Sequence, residues 1–364
     1  MIILAIESSC DETAAAVVVM GEERKILSNA VASQVDTHAL YGGVVPEIAS
    51  RAHIEAISHI VRRAIDDSGV SLSDIEAIGV TFAPGLIGSL LVGVNFAKSL
   101  ALSLGVPLIP VDHIKSHTAA AYMSSPELRA PFLSLVVSGG HTSLYTVPEP
   151  HIFNEIGSTR DDAAGEAFDK VGRVMGLPYP GGAAMDRLAS EGFELRAGIP
   201  KKGRLKFPSS AIHDDSLDFS FSGLKTSVIN HIHNLRQTAG LSDKEPIPHE
   251  SEAEIAAAFT ESVVDGICEK LSIAIERTGA KKLVLAGGVA ANSHLRRGVE
   301  ACTKKLGVSL YMPPVSLCGD NGVMVGAQTY YEYTAGIRAG SDLNAYANGD
   351  EKLANSSIST KINQ

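Results

Sequence analysis

The sequence contains the same short pattern twice, 131 residues apart. Leu4–Val18 reads LAIESSCDETAAAVV and Leu135–Val147 reads LVVSGGHTSLYTV. Each segment is an apolar run, a small polar turn and a second apolar run, which is typical of a β-hairpin. Any two hairpins share this periodicity. Because both turns consist of small residues with acidic or His neighbours, however, their backbone N–H groups can approach an anion. This shared chemistry favours a duplicated domain.

Short apolar runs predict buried strands throughout the chain. These runs are Ile2–Ile6, Ala15–Val19, Ala77–Thr81, Leu108–Val111, Leu133–Val137, Leu144–Val147, Leu283–Ala286 and Ser309–Met312. Helical periodicity lies between them and is clearest in Ala49–Asp67, Ser89–Leu104 and Glu252–Thr278. Strands that alternate with helices indicate an α/β architecture with largely parallel pairing.

A third segment of the chain, like the turns of the two hairpins, has residues that suit binding of an anion. Leu283–Asn292 (LVLAGGVAAN) reads as a strand that runs into Gly-Gly and then a helix. Glycines there permit close backbone approach, and a helix N-terminus offers N–H donors to a phosphate. In this order the three elements resemble the actin-like ATPase superfamily of sugar kinases, heat-shock chaperones and acetate kinases. The resemblance implies a two-domain, ribonuclease H-like (ASKHA) fold with a nucleotide cleft between duplicated domains.

The charge balance narrows the choice of partners. The chain has 364 residues, 45% of them hydrophobic, and a net charge of −10. Its length suggests two domains, and its acidity argues against a dedicated nucleic-acid coat, which needs a basic surface. Local basic patches exist, and each is either a solvated face or a phosphate contact. They are Lys201, Lys202, Arg204 and Lys206; Arg296 and Arg297; and Lys304 and Lys305.

The cysteines and the apolar segments predict a soluble cytoplasmic protein. Four cysteines are scattered without CxxC spacing, which suits free thiols in a reducing cytosol. The N-terminus opens directly into a strand, without the basic region or cleavage site of a signal peptide. The most apolar stretch, 87–111, is interrupted by Asn95, Lys98 and Pro107. It is therefore expected to be a buried helix followed by a strand, with no membrane span.

His113 and His117 have the spacing of a metal site. Asp112 is a suitable N-cap for a helix that starts here, and residues four apart lie on one helical face. Zinc proteases with this spacing need a Glu after the first His, but Ile114 occupies that position. An oxygen ligand is available in the turn-prone segment around Asp320, whose alternative role is a helix N-cap.

Nine ordered blocks between Met1 and about Gly336 together resemble the TsaD family of tRNA adenosine threonylcarbamoyltransferases, in its bacterial branch. The blocks are Glu7–Thr13 (ESSCDET), Tyr41–Glu47 (YGGVVPE), His113–His117 (HIKSH), Val137–Thr142 (VSGGHT), Asp161–Lys170 (DDAAGEAFDK), Tyr179–Gly182 (YPGG), Asp218–Thr226 (DFSFSGLKT), Ala286–Asn292 (AGGVAAN) and Cys318–Asn321 (CGDN).

The resemblance implies an activity and its site. The family transfers the threonylcarbamoyl group of threonylcarbamoyl-adenylate to N6 of the adenosine 3′ of the anticodon, in tRNAs that read ANN codons, and releases AMP. One divalent ion, Fe²⁺ or zinc, is then expected on His113, His117 and Asp320. Archaeal relatives have a Tyr as a further ligand where this chain has Val136. The adenylate is expected at Val136, Val137, Ser138, Gly139, Gly140, Asp169, Gly182, Asp186 and Asn292.

The chemistry of the residues agrees with these assignments. The carboxylates of Asp169 and Asp186 can accept hydrogen bonds from ribose hydroxyls. Gly139 and Gly140 can turn their N–H groups towards a phosphate or carbonyl oxygen. Asp11 is our candidate for orienting or deprotonating the adenine amine, with a capping residue or a solvated acid as its alternative roles. Glu12 and His141 are weaker candidates for the same task. The DFSFSGLKT block either shapes the cleft or forms a structural turn.

The expected domains and partners complete the hypothesis. Residues 1–131 form an N-terminal actin-like subdomain that a helix at about 322–340 completes, 132–321 form the adenylate-binding subdomain, and 341–364 are a disordered tail. The family implies a TsaB paralogue, a TsaE ATPase and tRNA as partners, and no membrane. Two other functions remain open, a small-molecule kinase of the same fold and a nucleotide-gated scaffold. The two histidines and Asp320 disfavour a kinase, because Mg²⁺ prefers carboxylates and water to imidazole.

Overall fold

A computed structural model describes residues 1–242 and 245–348 and the backbone of 358–359. Its strands are β1 Ile2–Glu7, β2 Glu12–Val19, β3 Lys25–Ser33, β4 Ala77–Ala83, β5 Leu108–Asp112, β6 Phe132–Val137, β7 Thr142–Glu149, β8 Ile152–Ser158, β9 Lys282–Ala286, β10 Ser309–Tyr311, β11 Arg338–Ala339 and β12 Ile358–Ser359. Its α-helices are α1 Val35–Ala39, α2 Pro46–Ser68, α3 Ile87–Leu104, α4 His113–Ser124, α5 Ala164–Val174, α6 Gly181–Leu195, α7 Ser222–Thr238, α8 His249–Thr278, α9 Ser293–Leu306 and α10 Gly322–Thr334.

The chain divides into two compact units. The first comprises 1–130, 147–153 and the described part of 312–364, and the second comprises 131–146 and 154–311. Asp320 therefore belongs to the first unit, together with the two histidines of the predicted metal site.

The first unit contains a seven-stranded sheet in the order β12-β11-β5-β4-β1-β2-β3. β1 pairs with β4, and β4 with β5, in parallel, whereas β1–β2 and β2–β3 pair antiparallel. Because successive side chains of a strand point to opposite faces, β1 serves two layers. Leu4 and Ile6 join a core cluster that includes residues of α2 and α3, whereas Ala5 lies beside Gly326 of α10. The first predicted hairpin is β1–β2.

Helix α3 is the one described helix whose length and composition would suffice to cross a membrane. Its Leu90, Val94 and Ala97 are fully buried in the core cluster against the sheet. At Gly93 a Cβ atom would come within 2.3 Å of Ser8 Oγ, so the glycine allows α3 to lie directly on the start of the β1–β2 turn. The predicted buried helix followed by a strand is thus observed as α3 and β5.

The end of the chain differs from the predicted disordered tail. Helix α10 ends at Thr334, and Gly336, with φ of 83°, turns the chain into β11. Leu343 and Ala345 are buried, and the ring of Tyr346 packs edge-on against Phe82. The segment 341–348 is polar in composition, but the burial of these apolar side chains orders it. The rest of the predicted tail, 349–357 and 360–364, lies outside the described residues.

The second unit contains a five-stranded sheet in the order β10-β9-β6-β7-β8. β6 pairs with β9, and β9 with β10, in parallel. The second predicted hairpin is found here as the neighbouring strands β6 and β7. Helix α8 packs against α6, α7 and α9. At Gly192 of α6 a Cβ atom would come within 1.9 Å of the Ala253 carbonyl oxygen, so this glycine lets α6 and α8 approach closely.

Candidate functional site

The two histidines of the predicted metal site lie on the first turns of α4. Asp112 caps this helix as predicted, because its Oδ1 accepts a hydrogen bond from the Lys115 N–H at 3.0 Å. The spacing of four places both imidazoles on one face, with ring centroids 4.7 Å apart. The His113 residue is 7% exposed and the His117 residue 1%.

Asp320 completes the group. Its Oδ1 lies 3.6 Å from His113 Nε2 and 3.3 Å from His117 Nε2, and the three candidate ligand atoms lie within 4.8 Å of one another. The N-cap of α10 is Asn321, whose side chain accepts from the Met324 N–H at 3.0 Å. Asp320 is therefore not the helix cap that the sequence left as an alternative.

His117 provides the test of whether these residues fit a metal ion. Both of its ring nitrogens are buried, and neither has a hydrogen-bond partner among the residues that the structure describes. A buried polar atom without a hydrogen-bond partner costs about 1–3 kcal/mol. The burial of the two His117 ring nitrogens is therefore unfavourable unless a further group binds to them. An imidazole nitrogen next to a carboxylate oxygen is a common donor set for transition metals. His113, His117 and Asp320 could therefore hold a metal ion.

Glu7 contacts His113 and is a further residue of this group. The sequence alone did not predict a role for it. It ends β1 and is fully buried. Its Oε2 lies 3.2 Å from His113 Nδ1 and accepts a hydrogen bond from Thr81 Oγ1 at 2.5 Å. Its Oε1 accepts from the Ser9 N–H at 2.6 Å. One feature of the sequence could have indicated this role. Glu7 is a carboxylate directly after a predicted buried strand, and it is the first residue of the Glu7–Thr13 block.

The charges around the histidines favour a cation. Burial alone would lower the pKa of His113, but Asp320 and Glu7 together raise this pKa to about 10. Burial would likewise raise the pKa of Glu7, and the adjacent His113 reverses this, so that its pKa stays below the ordinary value. The group is therefore an electronegative site in a desolvated setting, which attracts either a proton or a metal ion.

Asp11 and Glu12 form a carboxyl pair in the β1–β2 turn. Burial, Asp320 and Asp11 raise the pKa of Glu12 to about 9, and the Glu12 carboxyl hydrogen-bonds to Asp11. Glu12 also accepts a hydrogen bond from Ser33 Oγ at 3.0 Å. At neutral pH Glu12 therefore holds a proton. The half-buried Asp11 is neither a helix cap nor a fully solvated acid.

In the second unit, the β6–β7 turn carries five of the predicted adenylate residues. The Val136 and Val137 side chains are fully buried in β6, so only their backbone is available to a ligand. Ser138 N–H donates to the His141 carbonyl oxygen at 2.7 Å and its Oγ accepts from His141 N–H at 3.1 Å, which closes the turn. Gly139 and Gly140 are exposed, and a Cβ atom on either would meet nothing within 4 Å.

Two other glycines bring neighbouring segments against this turn. At Gly165, in the first turn of α5, a Cβ atom would come within 2.6 Å of the Ser138 carbonyl oxygen. At Gly287, with φ of 93°, it would come within 2.4 Å of the Val137 carbonyl oxygen. The predicted Gly-Gly turn after β9 is thus packed directly on the β6 end of the hairpin.

The other four predicted adenylate residues lie in α5, in α6 and at the start of α9, and hydrogen bonds join these helices. Asp169 Oδ1 accepts from the Gly181 N–H at 2.8 Å, beside Gly182. Asp186, one turn along α6, accepts from the Ser293 N–H at 3.1 Å. Asn292 is the N-cap of α9, and its Oδ1 accepts from the His294 and Leu295 N–H groups. Both carboxylates therefore anchor helix starts besides any contact with a ligand.

The DFSFSGLKT block begins α7. Asp161 Oδ1 accepts from the Phe221 N–H at 2.8 Å and the Ser222 N–H at 3.1 Å. Partial burial would raise the pKa of Asp161, but hydrogen bonds from the Ser220 and Ser222 hydroxyls, together with these two N–H groups, hold it below its ordinary value. A carboxylate at the first turn of a helix is favourable. Of the two roles that the sequence left open, this geometry supports the structural turn.

Solved structures with the same fold are distant in sequence. HypF from T. kodakarensis has a TM-score of 0.59 at 13% identity over 91% of this chain and 48% of its own length. Component A of the Acidaminococcus fermentans (R)-2-hydroxyglutaryl-CoA dehydratase has a TM-score of 0.52 at 15% identity over 92% and 98%. At such identities the likeness shows the fold alone, the two-domain actin-like fold that the sequence predicted.

Relatives in sequence cover nearly the whole chain. The family model described as TsaD, tRNA N6-adenosine threonylcarbamoyltransferase, matches residues 25–327. A tRNA N6-adenosine threonylcarbamoyltransferase of Clostridium botulinum (strain 657) is 49% identical over 95% of this chain and 96% of its own. That of Clostridium beijerinckii is 48% identical over 97% and 98%. The chain belongs to the TsaD family of tRNA N6-adenosine threonylcarbamoyltransferases.

Proposed function

We propose that this protein transfers the threonylcarbamoyl group from threonylcarbamoyl-adenylate to N6 of the adenosine 3′ of the anticodon, in tRNAs that read ANN codons. The products are N6-threonylcarbamoyladenosine and AMP. The observation that carries the proposal is the buried His117, whose ring nitrogens have no hydrogen bond among the described residues and which lies next to His113 and Asp320, in a chain of this family.

His113, His117 and Asp320 would hold one divalent ion. Two imidazoles and one carboxylate suit Fe²⁺ or zinc better than Mg²⁺. Val136 has no donor atom in its side chain, so this proposal has three protein ligands. When bound, the ion supplies Lewis-acid polarisation of the carbamoyl carbonyl, or anchors the phosphate or the threonyl group.

The residues of the second unit would bind the adenylate. The exposed turn at Gly139 and Gly140 offers backbone N–H groups to a phosphate or to the acyl oxygen. Asp169 and Asp186 offer carboxylate oxygens to ribose hydroxyls. Gly182 and Asn292 adjoin Gly181 and Ser293, whose N–H groups donate to these two carboxylates. Val136, Val137 and Ser138 would contribute through the backbone.

Asp11 would orient the adenine amine and accept its proton. An exocyclic amine is a poor nucleophile, so positioning and carbonyl activation should supply most of the rate. Asp11 lies in the β1–β2 turn beside Glu12, whose pKa burial, Asp320 and Asp11 raise to about 9.

The partners are proposed on the family alone. They are tRNA, a TsaB paralogue and a TsaE ATPase, in the cytoplasm. The exposed cations of the basic patches are candidates for tRNA phosphate contacts; they are Lys202, Lys206, Arg297, Lys304 and Lys305. The target adenosine lies in a single-stranded loop, so no duplex has to open.

A reconstituted reaction tests the proposal. The purified chain is mixed with its partner proteins, a divalent metal, unmodified tRNA and threonylcarbamoyl-adenylate labelled in its threonine. We expect label in tRNA and one AMP released for each group transferred. Phosphorylation of a polyol from ATP instead would support the kinase alternative, and absence of label from tRNA in the presence of metal would refute the proposal.

A further inference from the structure

Two cysteines lie side by side where α8 packs against α9. Cys302 of α9 lies against Cys268 of α8, and the two thiols change each other's pKa. Cys302 Sγ also lies 3.8 Å from the Cys268 carbonyl oxygen and 3.3 Å from Ser272 Oγ. Both cysteines are partly exposed to solvent.

A glycine explains why these helices approach so closely. Gly298 lies four residues before Cys302 and therefore on the same face of α9. A Cβ atom there would come within 2.2 Å of Val264 Cγ1 and 3.7 Å of Cys268 Sγ. Without a side chain at 298, α9 rests on α8 and carries Cys302 to Cys268.

The two thiols have different chemistry. The hydrogen bond from Cys268, together with Ser272 and the charge of Lys305, holds the pKa of Cys302 below that of an ordinary thiol although partial burial opposes this. The same hydrogen bond, with burial, raises the pKa of Cys268. With the Ser272 hydroxyl 3.3 Å from its sulfur and the charge of Lys305 nearby, Cys302 is the better nucleophile of the pair, and Cys268 is the neighbouring thiol. By contrast, burial raises the pKa of Cys10, which has no cysteine neighbour among the described residues.

We propose that Cys302 and Cys268 form a redox modification site, in which Cys302 reacts first with a peroxide and Cys268 then closes a disulfide between α9 and α8. An exposed thiolate next to a second cysteine is the arrangement that redox-sensing sites use. The two cysteines are not among the residues proposed to hold the metal ion or the adenylate.

The steps balance with hydrogen peroxide as the oxidant. The Cys302 thiolate attacks one peroxide oxygen, the O–O bond breaks, and Cys302 becomes a sulfenic acid as hydroxide leaves and takes up a proton. The Cys268 sulfur, losing its proton, then attacks Cys302 Sγ and displaces water. Two thiols and one peroxide thus give one disulfide and two waters, and a dithiol reductant reverses the cross-link.

The disulfide would fix α9 on α8 near the C-terminal end of α9. The opposite end of this helix begins at Asn292, and Ser293 there is bonded to Asp186. In a reducing compartment such a bond forms transiently, during oxidative stress, and does not act as a permanent structural staple.

Mass spectrometry of the full-length protein tests the proposal. The reduced protein is treated with a small excess of hydrogen peroxide, with or without dimedone to trap sulfenic acid, and then alkylated and digested. We expect a Cys268–Cys302 disulfide in the unsubstituted protein and a dimedone adduct on Cys302 in Cys268→Ser. Cys302→Ser should show neither product, and Cys10→Ser, the matched control, should behave like the unsubstituted protein. Cys302 should react at least about tenfold faster than Cys10.

Circular dichroism checks that each variant is folded. The proposal is overturned if the folded protein forms no Cys268–Cys302 disulfide, or if Cys10 or Cys318 is oxidised before Cys302. Because the assay measures thiols alone, its result is independent of whether the protein transfers a threonylcarbamoyl group.

Discussion

The carboxylate of Glu7 contacts Nδ1 of His113 at 3.2 Å, at the end of a strand where Glu7 is fully buried. A carboxylate that accepts the Nδ1 proton of a histidine fixes the tautomer in which Nε2 presents its lone pair. Here that nitrogen faces Asp320. Glu7 would therefore position His113 in the candidate metal site, although it is not itself one of the three candidate ligands.

Replacing Glu7 with Gln should weaken metal binding. The amide keeps the shape of the side chain but removes the charge that holds the Nδ1 proton, so we expect affinity for zinc or Fe²⁺ to fall about 10- to 100-fold. Competition with a chromophoric chelator measures this affinity. Glu332→Gln is the matched control, because it changes another buried carboxylate in the same unit that is not a candidate ligand. Equal affinities for Glu7→Gln and the unsubstituted protein would refute the role of Glu7.

Replacing Asp11 with Asn should slow transfer without changing metal affinity. The loss of a proton acceptor typically costs about 10²- to 10⁴-fold in rate. Single-turnover transfer from threonylcarbamoyl-adenylate to tRNA measures the chemical step, and the chelator competition measures the metal site. A rate within threefold of the unsubstituted protein would show that Asp11 neither orients nor deprotonates the amine.

Replacing Gly287 with Ala should destabilise the second unit. Its φ of 93° is unfavourable for alanine, and the added Cβ would come within 2.4 Å of the Val137 carbonyl oxygen. Strain and overlap together should cost more than about 2 kcal/mol. The adjacent Gly288 is the control, because a Cβ atom there meets nothing within 4 Å. Thermal unfolding should show a lower midpoint for Gly287→Ala than for Gly288→Ala; equal midpoints would contradict the packing described here.

Replacing Glu332 with Gln should change the pH dependence of stability. Burial raises the pKa of Glu332 to about 7, although Lys115 and the hydrogen bond from Gln328 oppose this. The folded state binds the Glu332 proton more tightly than the unfolded state does. Protonated Glu332 therefore adds to the free energy of unfolding, and this contribution is fully present below pH 4.5. It is lost as the pH rises to about 7, and the loss amounts to roughly 3 kcal/mol.

Glu332→Gln should therefore be more stable than the unsubstituted protein at pH 8, and the two should converge near pH 4.5. Denaturant unfolding at a series of pH values measures the difference. Parallel curves for the two proteins between pH 4.5 and 8 would mean that Glu332 titrates at an ordinary pKa.

Much of the fold follows from the sequence because buried strands and helices have strong periodic patterns. All eight predicted strands are present, and α2, α3 and α8 lie where the helical periodicity was clearest. β3 and β8 were not predicted, and neither were the two-residue strands β11 and β12. β3 is an edge strand of its sheet with several exposed side chains, and β8 likewise lies at an edge. Such strands lack the continuous apolar run that marks a central strand.

The site was predictable where neighbours in sequence are neighbours in space. The spacing of His113 and His117 and the cap at Asp112 are local properties of one helix. The approach of Asp320 follows from the resemblance and could not be derived from spacing, because more than 200 residues separate it from His117. Glu7 was not assigned because its function depends on a contact between β1 and α4 that no local pattern encodes. The Cys268–Cys302 pair was missed for the same reason, since a CxxC search detects only cysteines that are close in sequence.

The single-turnover transfer rate, measured with the metal removed and then restored, tests whether transfer depends on the metal ion. Lewis-acid assistance is worth several kcal/mol, so removal should slow the unsubstituted protein at least about 100-fold, and restoring Fe²⁺ or zinc should recover the rate. Asp320→Ala should remain slow at metal concentrations that restore the unsubstituted protein. Transfer at an undiminished rate by the metal-free protein would contradict the account.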